Sequence, residues 1–213
     1  MRGIAGICQS FDLAMMHFRQ VFLIRHPKPE IAPGICYGGS DIPPAPAALQ
    51  SAVEWLDSVL PDNAQMISSP LARCAQLASQ LSTRKQRSYI LEPRFAERCC
   101  GAWELQSWEQ VPRAELDAWA ADFMDYSAPG AESVRQLQTR VLAAWTEHTR
   151  QTEQRTLVLL THAGPIQILL AHLTGALLSA KPLVEIGCGA AVLLTQAHSN
   201  VDRWDVRVIS SSY

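Results

Sequence analysis

Two basic side chains, Arg25 and His26, stand together directly after the apolar run Val21–Ile24. A third, Arg73, follows Ser69 and Pro70 in the stretch SSPLARC, and a second histidine, His162, closes the apolar run LVLLT at 157–161. Imidazole can act as a nucleophile and proton carrier near neutral pH. Guanidinium grips oxyanion oxygens through parallel N–H donors. Together they suit the binding and transfer of a phosphate-like group. Taken singly, each has a plainer reading: a lone histidine after a strand is usually structural, and a lone arginine at a helix start is usually solvated. What points to an anion site is the recurrence of such side chains at three strand-to-helix junctions, where helix starts add N–H donors and a favourable dipole.

The elements that must position these residues follow from periodicity. Val21–Ile24, Gln65–Ser68, Ser88–Leu91 and Leu157–Thr161 are short apolar runs of the kind that form buried strands. Ala190–Gln196 and Arg203–Ile209 read as a strand pair turning at His198–Asp202. Leu49, Val53, Leu56 and Leu60 trace one helix face, and Val134, Leu137, Val141 and Trp145 trace another within a helix over 132–150. Ser69 is placed to cap a helix that Pro70 opens, and Gly164–Pro165 opens one more. Residues 27–46 are too rich in proline and glycine for a regular element and read as a long ordered loop.

Strands alternating with helices predict an α/β fold: a three-layer α/β/α sandwich with a mostly parallel central sheet, in one domain over 19–213. Residues 1–18 are expected to be a flexible tail, with Met15 or Met16 as alternative starts. The stretch of about 103–131 fits the alternation least well and is expected to form a small helical cap. Ligands in such sheets sit beyond the carboxyl ends of the strands, where Arg25, His26, Arg73 and His162 would converge.

Composition narrows the classes. The chain has 213 residues, 48% apolar and 18% charged, with a net charge of −2. That argues against disorder, a fibrous repeat and a nucleic-acid footprint, so positive charge must be local. No apolar run is long enough to span a membrane. The six cysteines (Cys8, Cys36, Cys74, Cys99, Cys100 and Cys188) form no C-x-x-C pair, which argues against a zinc site and for reduced thiols in a cytoplasmic protein.

RHP at 25–27, SSPLARCAQLA at 68–78, EPRFAERCCGAWE at 92–104, the pair Glu132–Ser133 and THAGP at 161–165 resemble, in order and spacing, the motifs of the histidine phosphatase (phosphoglycerate mutase-like) superfamily. The resemblance implies that His26 is a nucleophile forming a phosphohistidine. It implies that Arg25, Arg73 and His162 hold phosphoryl oxygens, with Ala163 beside them, and that Glu97 exchanges protons with the leaving group and water. It implies no metal and no cofactor. Three positions depart from the family pattern: Pro27 and Ala163 each stand where a glycine is usual, and Ala131 replaces the glycine before Glu132.

GICYGGSD at 34–41 is similar to the G-x-C-Y-G-x-x-D loop of α-ribazole phosphatases, which remove a 5′-phosphate in cobalamin synthesis. That makes Tyr37 and Ser40 candidate substrate contacts, while Asp41 reads best as a cap for backbone N–H groups; Glu132 is a candidate either to contact the pocket or to brace it. Trp103, Trp108, Trp119, Phe123 and Tyr126 could supply an aromatic wall for a nucleoside, Trp103 reading as core. His17, His148, His172 and His198 match no motif and read as surface or packing residues. The expected function is a phosphomonoesterase for a small molecule, possessing no nucleic-acid or membrane partner and compatible with a homodimer. The alternatives are a broader phosphatase for sugar phosphates or nucleotides and a non-catalytic phospholigand-binding module.

Overall fold

The computed structural model describes residues 20–150, 156–197 and 200–210. The expected tail over 1–18, Cys8, His17 and the turn residue His198 lie outside them. Among the described residues six strands form one sheet: β1 (Gln20–Arg25), β2 (Gln65–Ser68), β3 (Ile90–Leu91), β4 (Thr156–Thr161), β5 (Ala191–Ala197) and β6 (Asn200–Ile209). The α-helices of the same residues are α1 (Pro46–Val59), α2 (Ala72–Lys85), α3 (Arg113–Ala121), α4 (Val134–Arg150) and α5 (Ala163–Thr174). Spatial order is β3-β2-β4-β1-β5-β6. β1, β2, β3 and β4 pair in parallel, and β5 runs antiparallel to both β1 and β6.

The sheet separates two apolar layers by strict alternation of side chains. Val21, Leu23, Leu157 and Leu159 face α4 and α5, meeting Leu137, Val141, Trp145, Ile166 and Leu169. Phe22, Ile24, Val158 and Leu160 face α1 and α2, meeting Val53, Leu56, Leu77 and Leu81. Both faces are covered, so β4 is buried along its whole length and reads as an unbroken apolar run. This is the three-layer α/β/α sandwich with a mostly parallel sheet that the sequence predicts.

Several boundaries shift. The third strand shrinks from Ser88–Leu91 to Ile90–Leu91, an exposed edge pairing only with β2. The last strand begins at Asn200 rather than Arg203. α4 starts at Val134, because Ser133 and Gln136 exchange side-chain and backbone hydrogen bonds around its first turn. Ser69 does not cap α2: the helix starts at Ala72, and its first N–H is taken by Asp41 Oδ1 at 2.6 Å from the long loop. Pro70 accordingly lies before the helix.

Residues 103–131 contain α3 and share a third, smaller apolar cluster with neighbouring segments, in which Cys36, Cys100, Trp103, Val111 and Ala128 are buried. Trp103 is core, stacking on Tyr126 at 6.1 Å and donating from Nε1 to Glu115 Oε2 at 2.6 Å. The cluster ties this segment to the 34–37 part of the loop, through Cys36 N donating to Gln106 O and Leu105 N to Cys36 O.

Trp145 is 2% exposed at the centre of the layer beneath α4. Trp145→Ala is expected to cost about 3–5 kcal/mol, read as a lowered urea midpoint with unchanged slope. A loss below about 1 kcal/mol would contradict the packing described here.

Candidate active site

The strand order sets the site. β4 lies beside β1 in parallel register, Arg25 opposite Thr161, so the residues just past each strand become neighbours. His26 N donates to Thr161 O at 3.0 Å, and the His26 and His162 rings sit 5.1 Å apart between centroids. β2 flanks β4 on its other side, and its exit leads to Ser69 and Arg73. The four basic residues singled out in the sequence therefore meet at one edge.

His26 is 1% exposed. Its Nδ1 lies 2.7 Å from the Pro27 carbonyl, an acceptor only, so Nδ1 carries the hydrogen and Nε2 keeps its lone pair. Proline lacks an amide hydrogen, yet orienting this ring uses the carbonyl alone. Burial, reinforced by the Arg73 and Arg25 charges, pushes the His26 pKa down to about 3, against the effect of the Pro27 carbonyl. The ring is neutral at physiological pH.

Arg73 is fully buried in the first turn of α2. Nη1 donates to Ser40 O and Nη2 to Gly38 O, both at 2.7 Å, and the guanidinium lies over the Tyr37 ring at 5.1 Å. Nε donates to His162 Nδ1 at 3.3 Å. With Nδ1 accepting, the neutral His162 ring donates from Nε2 to Ser69 Oγ, 2.8 Å away. Burial, then the Arg73 charge, holds His162 well below its ordinary pKa. Arg25 donates from Nη1 to Ile186 O at 2.7 Å, while its buried Nε has no partner among the described residues. Gly189 N donates to the Arg25 and His26 carbonyls, fastening the strand exit to the segment before β5.

Glu97 approaches from another direction. Phe95, 1% exposed, anchors the preceding 3₁₀ turn in the core, and its carbonyl accepts from Thr161 Oγ1 at 2.6 Å. The Glu97 carboxylate accepts from Gly164 N at 3.2 Å and Arg98 N at 2.9 Å. A Cβ at Gly164 would lie 2.3 Å from Glu97 Oε1, so a larger residue there would displace the carboxylate from its present place at the start of α5. Ala163 is the first residue of that helix.

Glu132 and Ser40, both candidate substrate contacts, hold neighbouring structure. Glu132 forms a two-pronged pair with Arg140, at 2.6 and 2.7 Å. Arg140 in turn donates to the Arg94, Ala96 and Glu97 carbonyls, clamping the segment that carries Glu97. The Ser40 hydroxyl donates to Glu104 Oε2, and Glu104 Oε1 accepts from Gly39 N and Cys100 N. Burial opposes charge on Glu104, but the hydrogen bonds from Ser40 and the two amides outweigh it and hold its pKa low. Burial raises the Tyr37 pKa, keeping the phenol neutral under the guanidinium.

The residues that sequence reasoning missed are those that position others: Glu104, Arg140 and Gln167, while Ser69, expected as a helix cap, meets His162 instead. Gln167 donates to Val184 O and accepts from Leu183 N, pinning the segment after α5. Glu104 ends the quoted EPRFAERCCGAWE stretch, and Arg140 lies two helical turns beyond Glu132 on α4, the available signals for both. Among the remaining histidines, His148 pairs with Glu92 Oε2 at 3.0 Å, and burial lowers the His172 pKa.

Among the described residues no helix is long and apolar enough to cross a membrane. No group of three or more His, Cys, Asp or Glu side chains among them is arranged to hold a metal ion.

The sheet order, the two covering layers and the histidine pair at the β1/β4 edge define a protein with the phosphoglycerate mutase-like α/β/α fold. The sequence matches the histidine phosphatase superfamily (branch 1) over residues 21–210, and the chain belongs to that superfamily. It is accordingly a phosphatase by family. No curated protein matches the sequence. Among solved structures, the α-ribazole phosphatase from Shigella flexneri superposes with a TM-score of 0.75 at 19% identity, covering 90% of this chain and 96% of that one. A mycobacterial glucosyl-3-phosphoglycerate phosphatase gives 0.73 at 21% identity, covering 90% and 97%. A protein from Thermus thermophilus gives 0.61 at 26% identity, covering 82% and 92%.

The depressed His26 pKa makes stability depend on pH. Between pH 6.5 and 3 the unfolded chain binds a proton at His26 that the folded chain refuses, so stability rises with pH across that window. This contribution is complete above pH 6.5 and is lost as pH falls towards 3. In urea titrations from about pH 4.5 to 7.5, His26→Asn is expected to remove up to about 1.4 kcal/mol per pH unit of slope. An identical slope in both proteins would show that folding does not exclude that proton.

Proposed function

We propose that the chain is a phosphomonoesterase acting through a phosphohistidine at His26, with α-ribazole 5′-phosphate as its substrate. The observation that carries the mechanism is the orientation of His26: Nδ1–H is fixed on a carbonyl, which leaves Nε2 its lone pair, on a ring that lies beside a second imidazole in the field of Arg73 and Arg25. Nε2 attacks phosphorus as the bond to the leaving oxygen breaks, and Glu97 supplies the proton that makes it an alcohol. Water then attacks the phosphorus, Glu97 takes its proton, the P–N bond breaks, and phosphate leaves. Arg25 and Arg73 bring positive charge to the non-bridging oxygens, which is the main demand phosphoryl transfer makes of a protein, and the neutral His162 ring, which would have to give up Ser69 to donate to them, lies beside His26.

The substrate assignment draws on GICYGGSD at 34–41. Its Gly38 and Ser40 carbonyls fix Arg73, and its Tyr37 ring lies against that guanidinium. In this reading residues 103–131 are a cap, and the loop joins it to the phosphate site. A sugar phosphate is the second candidate, favoured by the similarity to a glucosyl-3-phosphoglycerate phosphatase.

Phosphate release from α-ribazole 5′-phosphate, nucleotides, sugar phosphates and an aryl phosphate separates these readings. The expected result is a kcat/KM for α-ribazole phosphate at least about tenfold above the others. His26→Ala is expected to lower kcat by at least about a thousandfold for every substrate, and Glu97→Gln to lower it least for the aryl ester, whose leaving group needs no proton. Equal rates across the panel would remove the substrate assignment. Turnover that survives His26→Ala would remove the mechanism.

A further inference from the structure

The sheet ends unequally. At one end β3 is two residues long and Pro93 follows shortly after it, so it offers little backbone to a neighbour. At the other end β6 runs ten residues, and among the described residues only β5 pairs with it. Along its outer side alternate residues present unbonded N–H and C=O groups. The features that keep such an edge from pairing are missing over 204–209, which hold no proline, no lysine and no bulge. The register shift lies beyond Trp204, towards Asn200, and the two charges, Asp205 and Arg207, are of opposite sign.

Cross-strand partners fix the face that each side chain takes. Trp204, Val206 and Val208 lie opposite Gln196, Leu194 and Val192 on the α4/α5 side, yet Val206 and Val208 remain 40% and 45% exposed. Asp205 and Arg207 lie opposite Thr195 and Leu193 on the other side. Both are exposed, and neither joins an ion pair among the described residues. A second β6 laid antiparallel about Val206 matches this pattern to itself. Val206 then faces Val206, Trp204 faces Val208 on both sides of the centre, and Asp205 likewise faces Arg207. Moving the centre by one residue sets Asp205 against Asp205 or Arg207 against Arg207, which like charge opposes.

We propose that β6 is the contact of a two-fold homodimer, in which the strands of two copies pair antiparallel about Val206 and join their sheets into one. A two-fold contact requires a self-complementary patch, and this edge is one in backbone, apolar side chains and charge. It uses no residue of the candidate active site, so it holds or fails independently of the phosphatase reading. A single strand pair is small beside the roughly 800 Å² per partner of tight assemblies, so the affinity expected is micromolar.

Sedimentation equilibrium of the full chain from about 1 to 200 µM is the test, with hydrogen exchange of the β6 amides followed at both ends of that range. The dimer is expected to form as concentration rises, and the amides of 204–209 to gain protection with it. Asp205→Arg and Arg207→Asp each set like charges against one another at both symmetric positions. Each alone is expected to raise the dimer Kd at least about tenfold. Mixed in equal amounts, the two variants again oppose unlike charges and are expected to pair within about threefold of the wild-type Kd. A wild-type chain that stays monomeric overturns the proposal, and β6 amides protected equally at every concentration would then give the edge to another segment of the same chain. A dimer that tolerates both substitutions unchanged, or variants that fail to pair when mixed, overturns it as well. If either charge variant does not fold, Val206→Lys sets two ammonium groups face to face and is expected to raise Kd at least about tenfold; an unchanged Kd overturns the contact.

Discussion

A guanidinium sealed from water without a carboxylate partner is the constraint around which the rest of this structure is arranged. Arg73 is fully buried, and its partners are two loop carbonyls, a neutral imidazole and a phenol face. Carbonyl dipoles orient the group and soften its desolvation without cancelling its charge. The positive field therefore remains for a ligand, and it helps keep His26 and His162 unprotonated. A carboxylate on Arg73 would have bound the charge tightly and left less for a phosphate.

Meeting that constraint recruits distant segments. The loop after β1 supplies both carbonyls, and Glu104 holds the loop through Ser40 and Gly39. Asp41 fixes the same loop to the start of α2, the helix that carries Arg73. Glu97 is held in a comparable way, its backbone clamped by Arg140 and Arg140 by Glu132. Glu132 and Ser40 thus support other residues of the site, a bracing role that the sequence left open for Glu132 beside direct contact.

The parts legible in the sequence were those governed by local rules. Buried strands appear as short apolar runs, and basic residues at their ends mark the edge where ligands bind. The G-x-x-D spacing after Tyr37 suggested a capping role for Asp41, but not the helix it caps, because that N–H lies 31 positions away. Ser69 looked like the cap because serine before proline at a helix start is a sound local signal. Its hydroxyl instead meets His162, 93 positions along the chain, a choice that depends on which strands become neighbours. Arg140 and Gln167 were silent for the same reason: their partners are backbone carbonyls and amides, which leave no trace in residue type.

The strand order also governs how the molecule can be assembled. β1 and β2 are made early but never touch; each waits for β4, which lies between them and is translated more than half a chain after β1. An N-terminal fragment emerging from the ribosome thus holds two apolar strands with their native partner missing, and pairing them with each other would close the slot that β4 must enter. Such long-range, late closure is intrinsically slow and leaves apolar strand edges open to wrong neighbours in the meantime. The candidate site inherits this timing: Arg25, His26, Arg73 and His162 share no edge until β4 has threaded into the middle of the sheet.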